Sequence, residues 1–284
     1  MIEFYRNGQE LQRLQLQENK IDSLKELLVS YASLEDTVAV AIGGSSASAS
    51  RDSSSDIDIY VFLKKDLPAA VRKNDIVAPR SDKYEVGGDY FGPGDEFTLR
   101  GSELECDVMY WTTGWFEDLI TGVWLKHQGW NGYTTAFLYT LHNFIIVYDT
   151  DGWLDSLRTM SNAEYPDELR NNIISRNLML MRDKPFSSYL EQIKKAAGRN
   201  DTVSVNHRIA AFLASYFDVL FAINRVFHPG EKKQVAFALK NCRLLPMHFK
   251  EDFDELFKPG ISFEEQINLL NRMFDELKDI LQKD

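Results

Sequence analysis

Between Thr37 and Leu63 the chain reads TVAVAIGGSSASASRDSSSDIDIYVFL: an apolar run, two glycines, a stretch of small and polar residues, then a strictly alternating segment. This pattern predicts strand, loop, strand. In the second strand Ile57, Ile59, Val61 and Leu63 share one face, because successive side chains point to opposite sides of a sheet. Asp56 and Asp58 lie on the other face, about 7 Å apart at their Cα atoms, close enough to converge on one hard cation.

The same reading covers the rest of the chain. Residues 9–32 carry Leu11, Leu14, Leu24, Leu27 and Leu28 among Gln, Glu and Lys, which predicts an amphipathic helix covering the sheet. Residues 69–72 read as a short helix and residues 84–90 as a strand interrupted by glycine. FTLRGSELECDVMYW, residues 97–111, predicts a hairpin turning at Gly101 and Ser102. In its second arm Leu104, Cys106, Val108 and Tyr110 occupy one face, and Glu103, Glu105 and Asp107 the other. Phe144 to Tyr148 forms a short buried strand. After Tyr165-Pro166, where the pre-proline residue is pushed away from helical geometry, nearly everything has helical period: residues 167–181, 186–197, 203–227, 232–239, 249–257 and 263–281. His228-Pro229-Gly230 is the expected stop after the longest of these.

Composition narrows the function classes. The 284 residues are 44% hydrophobic and 26% charged, which suits two globular domains. The net charge of −11, with no long Lys/Arg block, argues against a protein that holds an extended nucleic acid. No apolar run approaches the roughly 20 residues that span a bilayer, and no signal segment opens the chain. The expected partners therefore include neither nucleic acid nor membrane, and the expected location is the cytoplasm, as a monomer or homodimer. Cys106 and Cys242 do not make a disulfide framework. The five histidines lack zinc-ligand spacing, and no Gly-Lys-Ser/Thr follows the glycines, which excludes a Walker-type phosphate loop. Trp111, Trp115, Trp124 and Trp130 read as core.

The hydrophobic strand, Gly44-Ser45, the spacing of about ten residues and the Asp56-Ile57-Asp58 pair together resemble the motif of nucleotidyltransferases of the polymerase β superfamily. The order of parts is similar to the bacterial small-molecule members that act on aminoglycoside or lincosamide antibiotics. Ala49 departs from the pattern, where relatives often carry glycine.

The resemblance implies an α+β fold: an N-terminal mixed-sheet catalytic domain with flanking helices over residues 1–163, then a C-terminal helical bundle over residues 164–284. It implies transfer of a nucleoside monophosphate, AMP from ATP, to a hydroxyl of a small molecule, with one or two Mg²⁺ ions as cofactor. Asp56, Asp58 and Asp107 would be the metal-binding and catalytic carboxylates, with Asp107 or Glu105 as the alternative general bases. Gly44, Ser45 and Ser46 would approach the triphosphate, Arg51 could clamp a phosphate, and Lys232 or Lys233 would face it from a helix start. Two other readings are a transferase that modifies a protein hydroxyl and a non-catalytic, antitoxin-like nucleotide binder.

Overall fold

The computed structural model describes residues 11, 12, 14, 16–44, 56–89 and 92–282. The chain divides into two compact units: residues 1–120 with 140–163, and residues 121–139 with 164–284. The fold is α+β.

The first unit is built on a six-stranded mixed sheet. Its strands are β1 (Thr37–Gly43), β2 (Ile57–Leu63), β3 (Tyr84–Gly88), β4 (Gly94–Leu99), β5 (Leu104–Thr112) and β6 (Ile145–Asp149). They lie in the order β3-β4-β5-β2-β1-β6. Every neighbouring pair is antiparallel except β2 and β5, which run parallel. The expected hairpin of residues 97–111 is the β4–β5 pair, and the glycine-interrupted strand is β3.

Alternation decides the two faces. Ile57, Ile59, Val61 and Leu63 join Val40, Ile42, Cys106 and Val108 in one buried layer. Over it lies α1 (Glu18–Ala32), whose Leu24, Leu27, Leu28 and Tyr31 recur at helical spacing and are fully or almost fully buried. The regular helix begins nine residues later than the hydrophobic pattern suggests, at Glu18, without a side-chain cap. On the opposite face, aromatic rings fill the far end of the sheet. Phe62 packs at 5.0 Å from Phe116, 5.9 Å from Phe144 and 5.4 Å from Trp153. Tyr60 lies 4.8 Å from both Trp111 and Phe144. Phe116 belongs to α3 (Thr113–Trp124) and Trp153 opens α5 (Trp153–Met160), so these helices cover that end. Trp111 is half-buried and Trp124 buried, as core residues should be, whereas Trp115 is 45% exposed.

A polar network is sealed inside the α1 side. The three-residue α2 (Ala69–Val71) runs into a π-helical turn, Arg72–Val77, that carries Arg72 into the interior. Its guanidinium lies 3.5 Å from Asp95 and 4.4 Å over the Tyr110 ring. Asp95 accepts from the Tyr110 hydroxyl at 2.7 Å and from the Gly87 amide at 3.0 Å. The Tyr110 and Tyr31 hydroxyls are 3.0 Å apart. The network ties α1, the π-helical turn, β3, β4 and β5 together, and burial pushes both phenols well up.

The second unit is helical: α6 (Asp167–Leu178), α7 (Tyr189–Ala197), α8 (Thr202–Ile223), α9 (Gln234–Asn241), α10 (Phe249–Leu256) and α11 (Phe263–Leu281). The last matches its expected span residue for residue and starts with a Ser262/Glu265 capping box. The longest ends earlier than residue 227. Asn224 accepts from the Leu244 amide and donates to the Leu220 and Leu244 carbonyls, and Arg225 turns to φ 53°. Segment 121–139 belongs to this unit through Asp218 of α8, which accepts from the Thr134 amide at 2.9 Å, its hydroxyl at 2.6 Å and Asn177 at 3.2 Å. α3 and α4 (Ala136–Asn143) contribute residues to each unit. Among the described residues no helix is long and apolar enough to cross a membrane.

Two stability predictions follow from the buried charges. Asp95→Ala leaves Arg72 buried without its counter-ion and should lower the unfolding free energy by about 3–5 kcal/mol in urea titrations. Asp82→Ala, which breaks the solvent-exposed pair with Arg100, should leave the midpoint unchanged. In the second unit, burial pushes the Asp218 carboxyl from 3.8 up to about 7, against the opposing pull of its three donors. The folded state then holds a proton that the unfolded state has released. This contribution is complete below pH ~4 and lost as pH rises to about 7, of order 4 kcal/mol in all. Stability measured across that window should fall with pH in the native protein and less steeply in Asp218→Asn.

Candidate active site

The site begins with strand register. β2 and β5 pair so that Asp58 stands beside Asp107. β4 pairs with β5 so that Glu96 stands opposite Asp107, and β3 pairs with β4 so that Glu85 stands opposite Glu96. On the other side of Asp58 its partner is Gly43 of β1. Gly43, Asp58, Asp107, Glu96 and Glu85 thus form one row across five strands, on the face opposite the α1 layer. Asp58 and Asp107 are half-buried, and Glu96 and Glu85 are exposed.

The end of the row at β1 is shaped by glycine. Gly44 has φ 63°, a left-handed conformation that suits glycine. A Cβ at that position would come within 1.9 Å of the Asp58 carboxylate oxygen Oδ2. A Cβ on Gly43 would lie 2.6 Å from the Tyr60 ring and 2.9 Å from Phe144. Backbone therefore reaches the carboxylate with no side chain between them.

Asp56 is exposed and immediately precedes β2, and Glu105 is exposed on the Asp107 face of β5, opposite Thr98. Asp56, Glu85, Glu96, Glu105 and Asp107 line a cleft of about 380 Å³ in which, among the described residues, Lys83 is the only lining cation. The local field is legible in the neighbours. Burial, reinforced by Asp58 and Asp107, holds the Tyr60 phenol above its ordinary range. Burial, then Asp56 and Asp107, push the Cys106 thiol up to about 12.

Of the residues expected at the site, Asp56, Asp58, Asp107, Glu105 and Gly44 all come to this end of the sheet. Ser45, Ser46 and Arg51 lie outside the described residues. Lys232 and Lys233 belong to the second unit. There the helix begins at Gln234, two residues later than expected, because Lys233 adopts φ 55° as the residue before it. Glu85 and Glu96 are acids that the sequence reading missed. Glu96 was accessible to it, since a hairpin centred between Gly101 and Ser102 pairs Glu96 with Asp107. Glu85 depends on the irregular β3–β4 pairing, which shifts between Val86 and Gly88.

The donor set consists of hard carboxylate oxygens, as Mg²⁺ or Ca²⁺ requires. Like charges directly opposite one another across strands are destabilising, and a bound cation relieves that repulsion. Among the described residues no three His, Cys, Asp or Glu side chains form a ready metal cage. Mg²⁺ needs none: it is commonly held by one or two carboxylates, with water and substrate phosphates completing its shell. Asp58 and Asp107 fit that role.

The glycine geometry gives a direct test. Gly44→Ala should destabilise the protein through about 1–2 kcal/mol of left-handed strain, together with displacement of the Asp58 carboxylate. Gly101→Ala, also at positive φ but with open space around it, should cost only the strain. In an Asp58→Ala background the Gly44→Ala penalty should fall towards the Gly101→Ala value, short of it because the Cβ at position 58 remains 3.1 Å away, a coupling read from a double-mutant cycle in guanidinium.

Comparison with known proteins adds likeness and little more. The family described as "Domain of unknown function (DUF4037)" matches residues 130–233, well under half of the chain. No curated protein matches the sequence. Among solved structures, the chain is similar to a nucleotidyltransferase-like protein from Exiguobacterium sibiricum 255-15. That match has 11% identity and TM-score 0.45, over 92% of this chain and 74% of that one. It is also similar to an aminoglycoside 6-adenyltransferase from Bacillus subtilis, with 9% identity and TM-score 0.32, over 94% of this chain and 91% of that one. Overlaps this loose carry no functional argument, which rests instead on the row of carboxylates and the glycines beside it.

Proposed function

We propose that the protein is a nucleotidyltransferase that moves a nucleoside monophosphate, AMP from ATP, onto a hydroxyl of a small molecule. The observation that carries this reading is the placement of Asp58 beside Asp107 across parallel strands, with the Gly44 backbone against the Asp58 carboxylate. Asp58 and Asp107 would hold Mg²⁺, with Asp56 two residues upstream as a further oxygen donor. When bound, the ion neutralises triphosphate charge and favours departure of pyrophosphate. The residues themselves have three tasks. Gly43 and Gly44 let the phosphates approach backbone N–H groups without a side chain in the way. The acids on one face of β5 hold the acceptor in line with the phosphorus. Asp107 or Glu105 takes the hydroxyl proton as the new P–O bond forms.

The cleft supports a small acceptor, since about 380 Å³ lies at the small-molecule end of the pocket range of about 300–1,000 Å³. Among the described lining residues, five carboxylates against one lysine favour a cationic acceptor, a hydroxylated amine of the aminoglycoside type.

The test is transfer of α-labelled ATP, with Mg²⁺, to a panel of polyhydroxylated amines and neutral sugars. Label should move to the amines with release of pyrophosphate, and chelation should stop it. Asp58→Asn should lower kcat/KM by at least about 10²–10³-fold, while its unfolding midpoint holds or rises because a like charge has been removed from the row. Undiminished turnover in Asp58→Asn, or no transfer to any acceptor, would sink the proposal.

A further inference from the structure

The second unit carries an open apolar groove of about 520 Å³ that the proposed reaction does not use. Its floor is the stacked pair Phe217 and Phe253, with ring centroids 5.1 Å apart and both residues buried. Its walls include Leu239 and Phe257, which are 46% and 64% exposed. Lys233 and Lys250 lie along it.

The segment between Glu231 and Glu251 is basic, although α10, which also lines the groove, carries Glu251, Asp252, Asp254 and Glu255. From Lys232 to Lys250 the sequence contains Lys232, Lys233, Lys240, Arg243 and Lys250 and no Asp or Glu, in a chain whose net charge is −11. The two groove lysines are not equivalent. The Lys250 ammonium is paired with Asp254 at 2.5 Å, whereas Lys233 forms no ion pair among the described residues. Lys233 is also held at φ 55°, a backbone conformation that side-chain-bearing residues adopt uncommonly.

We propose that this groove binds a single-chain anionic amphiphile: an acyl or aryl body bearing one carboxylate. The apolar body covers Phe217, Phe253, Leu239 and Phe257, and the carboxylate meets the Lys233 ammonium. One unengaged ammonium matches one negative charge, and the volume is that of a small-molecule pocket. The proposal does not rest on nucleotidyl transfer, and its binding test stands or falls separately from that reaction.

The experiment uses the full chain and two probes of equal length and opposite charge, decanoate and decyltrimethylammonium, below their micelle concentrations. Isothermal titration should give saturable binding of one decanoate per chain, preferred over the cation by at least about threefold, the scale of an exposed ion pair. Lys233→Glu should abolish or invert that preference. Ala236→Trp places a large ring at an exposed position that lines the groove, and should remove binding while leaving the circular dichroism and melting profile unchanged. Decanoate should raise the melting temperature of the native protein and not of Ala236→Trp. Equal affinity for both probes, binding that survives Ala236→Trp, or no saturable decanoate binding would overturn the proposal.

Discussion

The parallel pairing of β2 with β5 is the constraint on which the first unit depends. It sets Ile57 beside Cys106, Asp58 beside Asp107 and Ile59 beside Val108, so apolar and acidic residues separate onto opposite faces of the sheet. A slip of one residue would carry the aspartate into the layer under α1 and expose the isoleucines. Burial of Ile57, Ile59, Val61 and Leu63 against Leu24, Leu27 and Leu28 therefore does two things at once. It supplies the hydrophobic stabilisation of the unit, and it holds two half-buried carboxylates side by side on the other face.

Holding like charges together works against stability, and the fold offsets this locally. The Arg72–Asp95–Tyr110 network lies beneath the β4–β5 hairpin, on the face away from the acids, and pins the strands that carry Glu96 and Asp107. The aromatic layer of Tyr60, Phe62, Phe116 and Phe144 does the same at the far end of the acidic face. Both backings of the Asp58–Asp107 pair are packed, which fixes the strands that carry it. The second unit uses one buried carboxylate differently. Asp218 gathers Thr134 and Asn177 and so holds segment 121–139 among helices that follow it by some thirty residues or more.

Elements with a strong period were legible from the sequence. β1 stands where its apolar run places it, β2 and β5 where alternation does, and α11 matches its amphipathic span to the residue. Ends set by contacts distant in sequence were not. The longest helix stops at Ile223 because Asn224 bonds to Leu244, twenty residues on, and α9 starts at Gln234 because Lys233 turns left-handed. Apolar periodicity continues past Asn224 to Phe227 and conceals the first boundary, whereas the polar run through Lys233 carries no period to mark the second.

Local chemistry, by itself, determined that Gly43-Gly44 would be followed by a strand bearing Asp58, and that Glu105 and Asp107 would share a face of a later strand; Asp56, expected on the earlier strand, stands just before it. Side-chain alternation and glycine's conformational freedom are properties of short segments. Which strand lies beside which is not, because pairing joins residues far apart in sequence. Only the tertiary structure decided that Asp107 stands next to Asp58, that Glu85 extends the row, and that the Gly44 backbone meets the Asp58 carboxylate. It alone also drew residues 121–139 into the helical unit, since a hydrogen bond from Thr134 to Asp218 leaves no trace in the hydrophobic pattern of either segment.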